Sequence, residues 1–255
     1  MTDTILPLVR RWAVNWINGH DAQATEDLMV PEYALRIGTF DLTTRAAYVD
    51  ATVSQLAQFP GLVLTVHEVL TNGTQAAIRF SEHGASLRHE GRAAVWTGVV
   101  LFESDGTHLV RTWAEEDYAA RRRQLASGIP DPVGAPALAP WDTTPAEPDR
   151  AAEDVVHQWL SAGLPSVDGV TWDDEHLDDA GHALSSDRGE VDVVMSAGDR
   201  VAFHGRVHGV ARDGSGTAGT IDVAGLVVVQ SGRVAGGTVV SDRLAALSAL
   251  KRARA

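Results

Sequence analysis

The chain has 255 residues, a length that suits two domains of ordinary size. Its 44% hydrophobic and 22% charged composition excludes a disordered chain, and its formal net charge of −13 argues against nucleic acid, whose binding depends on neutralising phosphate. The absence of cysteine excludes disulfides, thiolate metal sites and cysteine nucleophiles.

In chain order, residues 8–19 place Val9, Trp12, Trp16 and Ile17 at helical spacing and end at Gly19. A second short helix is predicted over 21–29, stopped by Pro31, and a strand-like run follows over 33–40. A third helix is predicted over 43–59: Thr43 or Thr44 can cap it, Tyr48, Val49, Val53 and Leu56 line one side, and Pro60-Gly61 stops it. Strands are then expected over 62–70, 76–83, 93–102 and 109–115. Asn72-Gly73 and Asp105-Gly106 give two hairpin signals, and a helix is expected over 118–125.

Pro130, Pro132, Pro136, Pro140, Pro145 and Pro148 mark 128–148 as an extended, semi-rigid linker between domains 1–127 and 149–255. The second half repeats the first. Val66–Gly73 aligns with Val191–Gly198 at an offset of 125 residues, Ala77 meets Ala202 and His83 meets His208. The offset returns at Asp117 with Asp242 and Leu125 with Leu250. A helix is predicted over 151–162, strands over 190–195, 200–207, 220–229 and 233–240, and a helix over 242–250, with no counterpart of the third helix. Each half therefore reads as α+β, helices packed on one face of an antiparallel meander.

These residues resemble a known family. Domain 1 resembles a SnoaL-like (polyketide cyclase-like) domain of the nuclear transport factor 2-like superfamily. The resemblance runs from Leu8 to Leu125, through Phe59-Pro60-Gly61-Leu62, Leu64–Val69, Ala77–Phe80, Trp96–Phe102, Arg111-Thr112-Trp113 and Asp117. Domain 2 is similar more loosely: Asp242 stands where Asp117 stands, but Thr238 replaces Trp113 and Ala249 replaces Gln124. The resemblance implies two tandem cone-shaped domains, each a curved antiparallel sheet with N-terminal helices around an apolar cavity, the second degenerate. It implies a cofactor-independent acid/base enzyme of secondary metabolism, such as antibiotic biosynthesis. Such an enzyme would cyclise or isomerise a small apolar carbonyl-bearing, polyketide-type metabolite. An epoxide hydrolase of polyether type and a non-catalytic ligand-binding or dimerisation module are the alternatives. The two halves are expected to pair as an intramolecular pseudo-dimer, or the chain as a homodimer.

Asp117 matches the family's base. It can remove a proton next to a carbonyl if an apolar wall such as Trp113 raises its pKa; alternatively Glu115, Glu116 and Asp117 form a solvated turn in which Asp117 caps the next helix. Asp41 and Glu68 are candidates for an epoxide-opening carboxylate pair, and alternation allows only one of His67 and Glu68 to face a cavity. Arg79, His83 and His67 are candidate oxyanion donors, and Tyr33, Trp16, Trp96 and Trp113 candidate pocket walls. In domain 2 the candidates are Asp242, His204 and Asp222. The acidic stretch holding His176 and His182 has no compact ligand spacing, and glycine-rich 213–219 reads as a hairpin loop, so neither metal nor cofactor is expected. No apolar run approaches the ~18 residues of a membrane span, and Met1-Thr2-Asp3-Thr4 lacks the features of a secretory signal. A cytoplasmic location without membrane contact is expected.

Overall fold

The computed structural model describes residues 3–172, 184–212 and 214–253. The acidic stretch with His176 and His182 lies outside them, as does Asp213 of the glycine-rich loop. No helix among the described residues is long and apolar enough to cross a membrane.

The first half begins with α1 (Leu6–Arg11), which runs directly into a π-helical turn, Trp12–Ile17. Together they bury Val9, Trp12, Trp16 and Ile17. The second predicted helix is a single 3-10 turn, Ala22–Thr25, and Pro31 does not stop it. Pro31 sits inside β1 (Met29–Ile37), where the parallel register with β6 (Leu109–Glu116) shifts between Met29 and Ala34. A proline has no N–H to give the ladder, so a shifted stretch is where a strand tolerates one. After β2 (Phe40–Leu42) comes α2 (Arg45–Gln58), with Thr44 as its cap accepting from the Ala47 N–H at 3.2 Å.

Strands β3 (Val63–Thr71), β4 (Gln75–Ser86) and β5 (Arg92–Ser104) complete a six-stranded sheet of order β2-β1-β6-β5-β4-β3. α3 (Tyr118–Ser127) closes the domain, and the left-handed Gly128 ends the helix.

The linker is an attached strap. The Ala137 N–H donates to the Val66 carbonyl at 2.8 Å and the Ala146 N–H to that of Thr71 at 3.1 Å, so chain lies along the outer edge of β3. Covering an edge strand this way removes a template for unwanted pairing. Trp141 anchors the strap by packing against the N-terminal core.

The second half consists of α4 (Arg150–Ser161), β7 (Val170–Trp172), β8 (Leu184–Ala197), β9 (Arg200–Ala211), β10 (Ala218–Gln230), β11 (Arg233–Ser241) and α5 (Arg243–Ala253). Its five-stranded sheet has the order β7-β11-β10-β9-β8, with β7 parallel to β11 as β1 is to β6. The repeat extends to irregularities. The β3–β4 ladder bulges between Val66 and Glu68, and the β8–β9 ladder between Val191 and Val193, again 125 residues apart.

The two sheets pack face to face. Leu70, Ala77, Val99, Leu101 and Trp113 of the first form one buried cluster with Met195, Ala197, Ala202, Ala224, Leu226 and Val240 of the second. Strands β4–β6 are therefore buried on both faces, one against their own helices and one against the other domain.

Close packing inside the first sheet is testable at Gly98. A Cβ there would lie 2.4 Å from Cζ of Phe80 and 3.0 Å from the Glu115 carbonyl oxygen, whereas one at Gly61 meets nothing within 4 Å. Gly98→Ala is expected to cost ~1–3 kcal/mol in urea unfolding and Gly61→Ala almost nothing. Equal unfolding midpoints for the two variants would contradict this packing.

Candidate active site

Alternation along three strands decides which side chains enter the N-terminal cavity. On β4, Phe80 and Glu82 point in; on β5, Val100; on β6, Thr112, Ala114 and Glu116. α2 supplies Tyr48, Ala51, Thr52 and Gln55, β1 supplies Tyr33, Leu35 and Ile37, and Tyr118 opens α3 beneath them. The cavity measures about 120 Å³.

Two carboxyl groups share this apolar space. Glu82 and Glu116 are both buried. Burial pushes the Glu82 carboxyl well above the ordinary range, and the Glu116 charge pushes it further. Burial also raises Glu116, which the Trp96 indole N–H (2.7 Å), the nearby Arg121 guanidinium and the Tyr118 hydroxyl partly offset. Gln55 Nε2 donates to Glu82 at 2.5 Å. Each carboxyl is thereby held above the ordinary range, Glu82 the more strongly because the Glu116 charge adds to its burial.

Tyr48 adds a directed donor. Its hydroxyl accepts the Trp12 indole N–H at 2.8 Å and the Trp16 indole N–H at 3.1 Å. A phenol oxygen has two lone pairs, so with both engaged the group has only its proton left to give, and the side chain of Thr52 on the same wall is within hydrogen-bond reach of it. Burial holds its pKa up at about 12, so that proton is retained. Tyr33, 5.2 Å from Tyr48 between ring centres, donates to Thr112 Oγ1 at 2.6 Å.

The residues singled out from the sequence distribute differently. Tyr33 lines the cavity. Trp16 and Trp96 stand behind it, orienting Tyr48 and Glu116 through their indole N–H groups. Trp113 faces the other domain, with Arg111 over its ring at 5.4 Å. Asp117 does not reach the cavity. It caps α3, accepting from the Ala120 N–H at 2.9 Å, and pairs with the buried Arg243 at 3.3 Å. Nor is 115–117 a solvated turn: Glu115, Glu116 and Asp117 are all buried.

Asp41 and Glu68 form no pair. Asp41 is exposed on β2, 3.8 Å from Arg36, while Glu68 lies on the outer sheet face with Arg200 and with Arg79 at 3.6 Å. His67 occupies the bulge and contacts Ser81 Oγ (2.9 Å) and the Ala135 carbonyl (2.8 Å) of the linker. His83 contacts Thr65 Oγ1 at 3.0 Å on that outer face. None of these lines the cavity: on β4 it is Glu82, the residue beside His83, that points in, β2 contributes only Leu42, and β3 contributes none of the wall.

The three second-domain candidates do come together, but at the domain interface. His204 Nε2 lies 2.9 Å from Glu115 and Nδ1 2.9 Å from Asp192. Arg36 reaches Asp192 (3.4 Å) and Asp222 (3.6 Å), and Arg206 holds Asp222 at 3.1 Å. Asp242 caps α5, accepting from the Ala245 N–H at 3.0 Å. Both imidazole nitrogens face carboxylate oxygens, and only the imidazolium donates at both. Burial opposes that charge, but the two hydrogen bonds outweigh it and hold His204 up at about 9. Burial pushes Glu115 up to about 7, against the pull of His204.

Because the folded-state pKa of His204 lies above its ordinary value of 6.5, its contribution to stability is complete below pH 6.5 and is lost as pH rises through about 9. Unfolding free energy is expected to fall between pH 6.5 and 9.5. His204→Gln should lower it by ~3 kcal/mol at pH 6.5 and flatten that slope. An unchanged slope in the variant would contradict the assignment.

Comparison with known proteins places the N-terminal half in a family. Residues 9–122 match the model of the SnoaL-like domain. No curated protein matches the chain. Among solved structures, TsrD from Streptomyces laurentii is 20% identical over 49% of this chain and 96% of its own, with a TM-score of 0.43. IdmH from Streptomyces antibioticus is 16% identical over 47% and 96%, with a TM-score of 0.43. An LEH-like epoxide hydrolase of M. tuberculosis is 10% identical over 50% and 93%, also with a TM-score of 0.43. Residues 9–122 of this chain are a SnoaL-like domain.

Proposed function

We propose that the N-terminal domain is a cofactor-independent acid/base catalyst that isomerises a small, apolar, carbonyl-bearing metabolite. The observation that carries this reading is the Glu82–Glu116 pair on the wall of an apolar cavity. A module that only binds apolar ligands or only dimerises gains nothing from two desolvated carboxyl groups, each costly to bury.

In this reading the Glu116 carboxylate removes a proton from the carbon next to the carbonyl. The electron pair moves onto the carbonyl oxygen, where Tyr48 O–H and the Glu82 carboxyl donate hydrogen bonds to the developing enolate. Glu116, now protonated, returns the proton to a different carbon of the conjugated system, and the site is restored. Pre-aimed donors in a water-poor cavity stabilise such an anion by several kcal/mol without reorganising. The volume of about 120 Å³ favours a compact isomerisation substrate over the folding of a long polyketide chain.

The test compares metabolite profiles by mass spectrometry in the native host after gene deletion and complementation. Wild type is expected to clear an accumulated precursor. Glu116→Gln, shown folded by circular dichroism, should be at least ~100-fold slower and Tyr48→Phe ~10–100-fold slower. Asp117→Asn should restore the profile in proportion to the folded protein it yields. Full restoration by Glu116→Gln would overturn the reading.

A further inference from the structure

The wall behind Glu116 carries a cation. Arg121 lies on α3 three residues after Tyr118, so the two side chains share one side of the helix. Its guanidinium carbon is 4.2 Å from the centre of the Tyr118 ring, 4.9 Å from that of Trp96 and 5.7 Å from that of Phe59. The Trp96 indole N–H donates to Glu116 at 2.7 Å, and the Tyr118 hydroxyl hydrogen-bonds the same carboxyl. Two of the three rings that seat the guanidinium therefore also hold Glu116. A guanidinium is weakly hydrated and stacks on aromatic faces, so such rings can place its charge close to a buried carboxyl.

The repeat supplies a second observation. At the offset of 125 residues, Ser241 stands for Glu116, Val207 for Glu82, Ile221 for Trp96 and Ala246 for Arg121. The equivalence is structural: Gly98 pairs with Glu116 as Val223 pairs with Ser241, and Asp117 and Asp242 cap the helices that follow. The cation, the indole and the two carboxyls are present together in one copy and replaced together in the other, as expected of groups that act on one another.

We propose that Arg121 is a positioning residue of the first cavity: its guanidinium, seated on Tyr118, Trp96 and Phe59, sustains Glu116 in the charged form that proton removal needs. The inference rests on the reading of Glu116 as the base. The other titratable groups on this cavity are Tyr33 of β1, Tyr48 of α2, Glu82 of β4 and Tyr118 of α3. Burial raises all three phenols, which therefore stay neutral, and a charged Glu82 opposes a charged Glu116. Arg121 pulls both carboxyls the other way. Charges in a poorly screened interior act over several ångströms, so Arg121 can do this without touching the substrate.

The test reads Glu116 itself. Carbon-13 NMR of labelled glutamate side chains, with the Glu116 signal assigned by Glu116→Gln, follows its titration in wild type, Arg121→Met, Arg121→Lys and Arg122→Met. Methionine keeps an unbranched stem against the rings without the charge, and Arg122, exposed on the same helix, controls for net charge. Arg121→Met should raise the Glu116 midpoint by about one pH unit or more, Arg121→Lys by less, and Arg122→Met not at all. Clearance of the precursor extracted from the deletion strain should follow, its acidic limb moving to higher pH in Arg121→Met with little change on the alkaline plateau. Arg121→Gln repeats the test if the methionine variant does not fold. A Glu116 midpoint unchanged in a folded, charge-free variant, or moved equally by Arg122→Met, would overturn the proposal. The titration needs no turnover: full activity in Glu116→Gln together with a moved midpoint would overturn the isomerase reading and leave the coupling of Arg121 to Glu116 standing.

Discussion

Everything in this molecule depends on one sheet being buried on both sides. Strands β4–β6 carry the cavity wall on one face and the contact with the second domain on the other, and the chain has only a two-residue period with which to serve both. On β6 the consequence is literal: Thr112, Ala114 and Glu116 go to the cavity, while Trp113 and Glu115 go to the partner domain. Two adjacent glutamates thus have separate roles. Glu116 meets an indole N–H on the cavity wall, and Glu115 meets His204 at the domain interface.

The interface on the outer face is apolar at its centre and ionic beyond. Alanines at 77, 202 and 224 allow close approach, and Leu101, Trp113, Met195 and Leu226 fill the remaining space. The charges that follow are partnered: His204 between two carboxylates, Arg36 between Asp192 and Asp222, Arg243 against Asp117. Replacing such pairs with hydrocarbon is often no less stable, so their contribution lies more in fixing how the domains meet than in strength. Asp117 ties the first turn of α3 to the first turn of α5, and Tyr118, the next residue, lies against the cavity. Domain pairing and cavity shape are therefore mechanically adjacent.

Much of the fold was legible in the sequence, and of the cavity wall only Tyr33, with Trp16 and Trp96 behind it, was, for one physical reason. Asn72-Gly73 and Asp105-Gly106 have no other good use than a tight turn, and Gly73 and Gly106 do adopt positive φ. Thr44 and Pro60 bound α2 as their chemistry requires. Strand faces are another matter. Alternation identifies the inner face only when the outer one is solvated, and here both are buried, so Val99-Val100-Leu101-Phe102 reads as continuous hydrocarbon. Asp117, Trp113, His83 and Arg79 all lie away from the cavity. Glu116, Thr112, Glu82 and Phe80, one residue away from each or nearly so, are the inner set. A signal existed in the repeat itself: Glu82 and Glu116 are replaced by Val207 and Ser241, the pattern expected when one copy keeps proton chemistry and the other does not. Pro31 shows the opposite failure, a helix-stopping residue by habit that sits inside a shifted strand.

The central claim is that burial and the charge of Glu116 hold the Glu82 carboxyl well above the ordinary range inside the first cavity. Carbon-13 NMR of labelled glutamate side chains, titrated through neutral pH and assigned with Glu82→Gln, measures it directly. The account predicts a Glu82 carboxyl still protonated at pH 7 whose titration falls toward the ordinary range in Glu116→Gln, because the neighbouring charge that raises it is gone. A Glu82 that titrates near ~4.3, the value of an unperturbed glutamate, and does not respond to Glu116→Gln would contradict it.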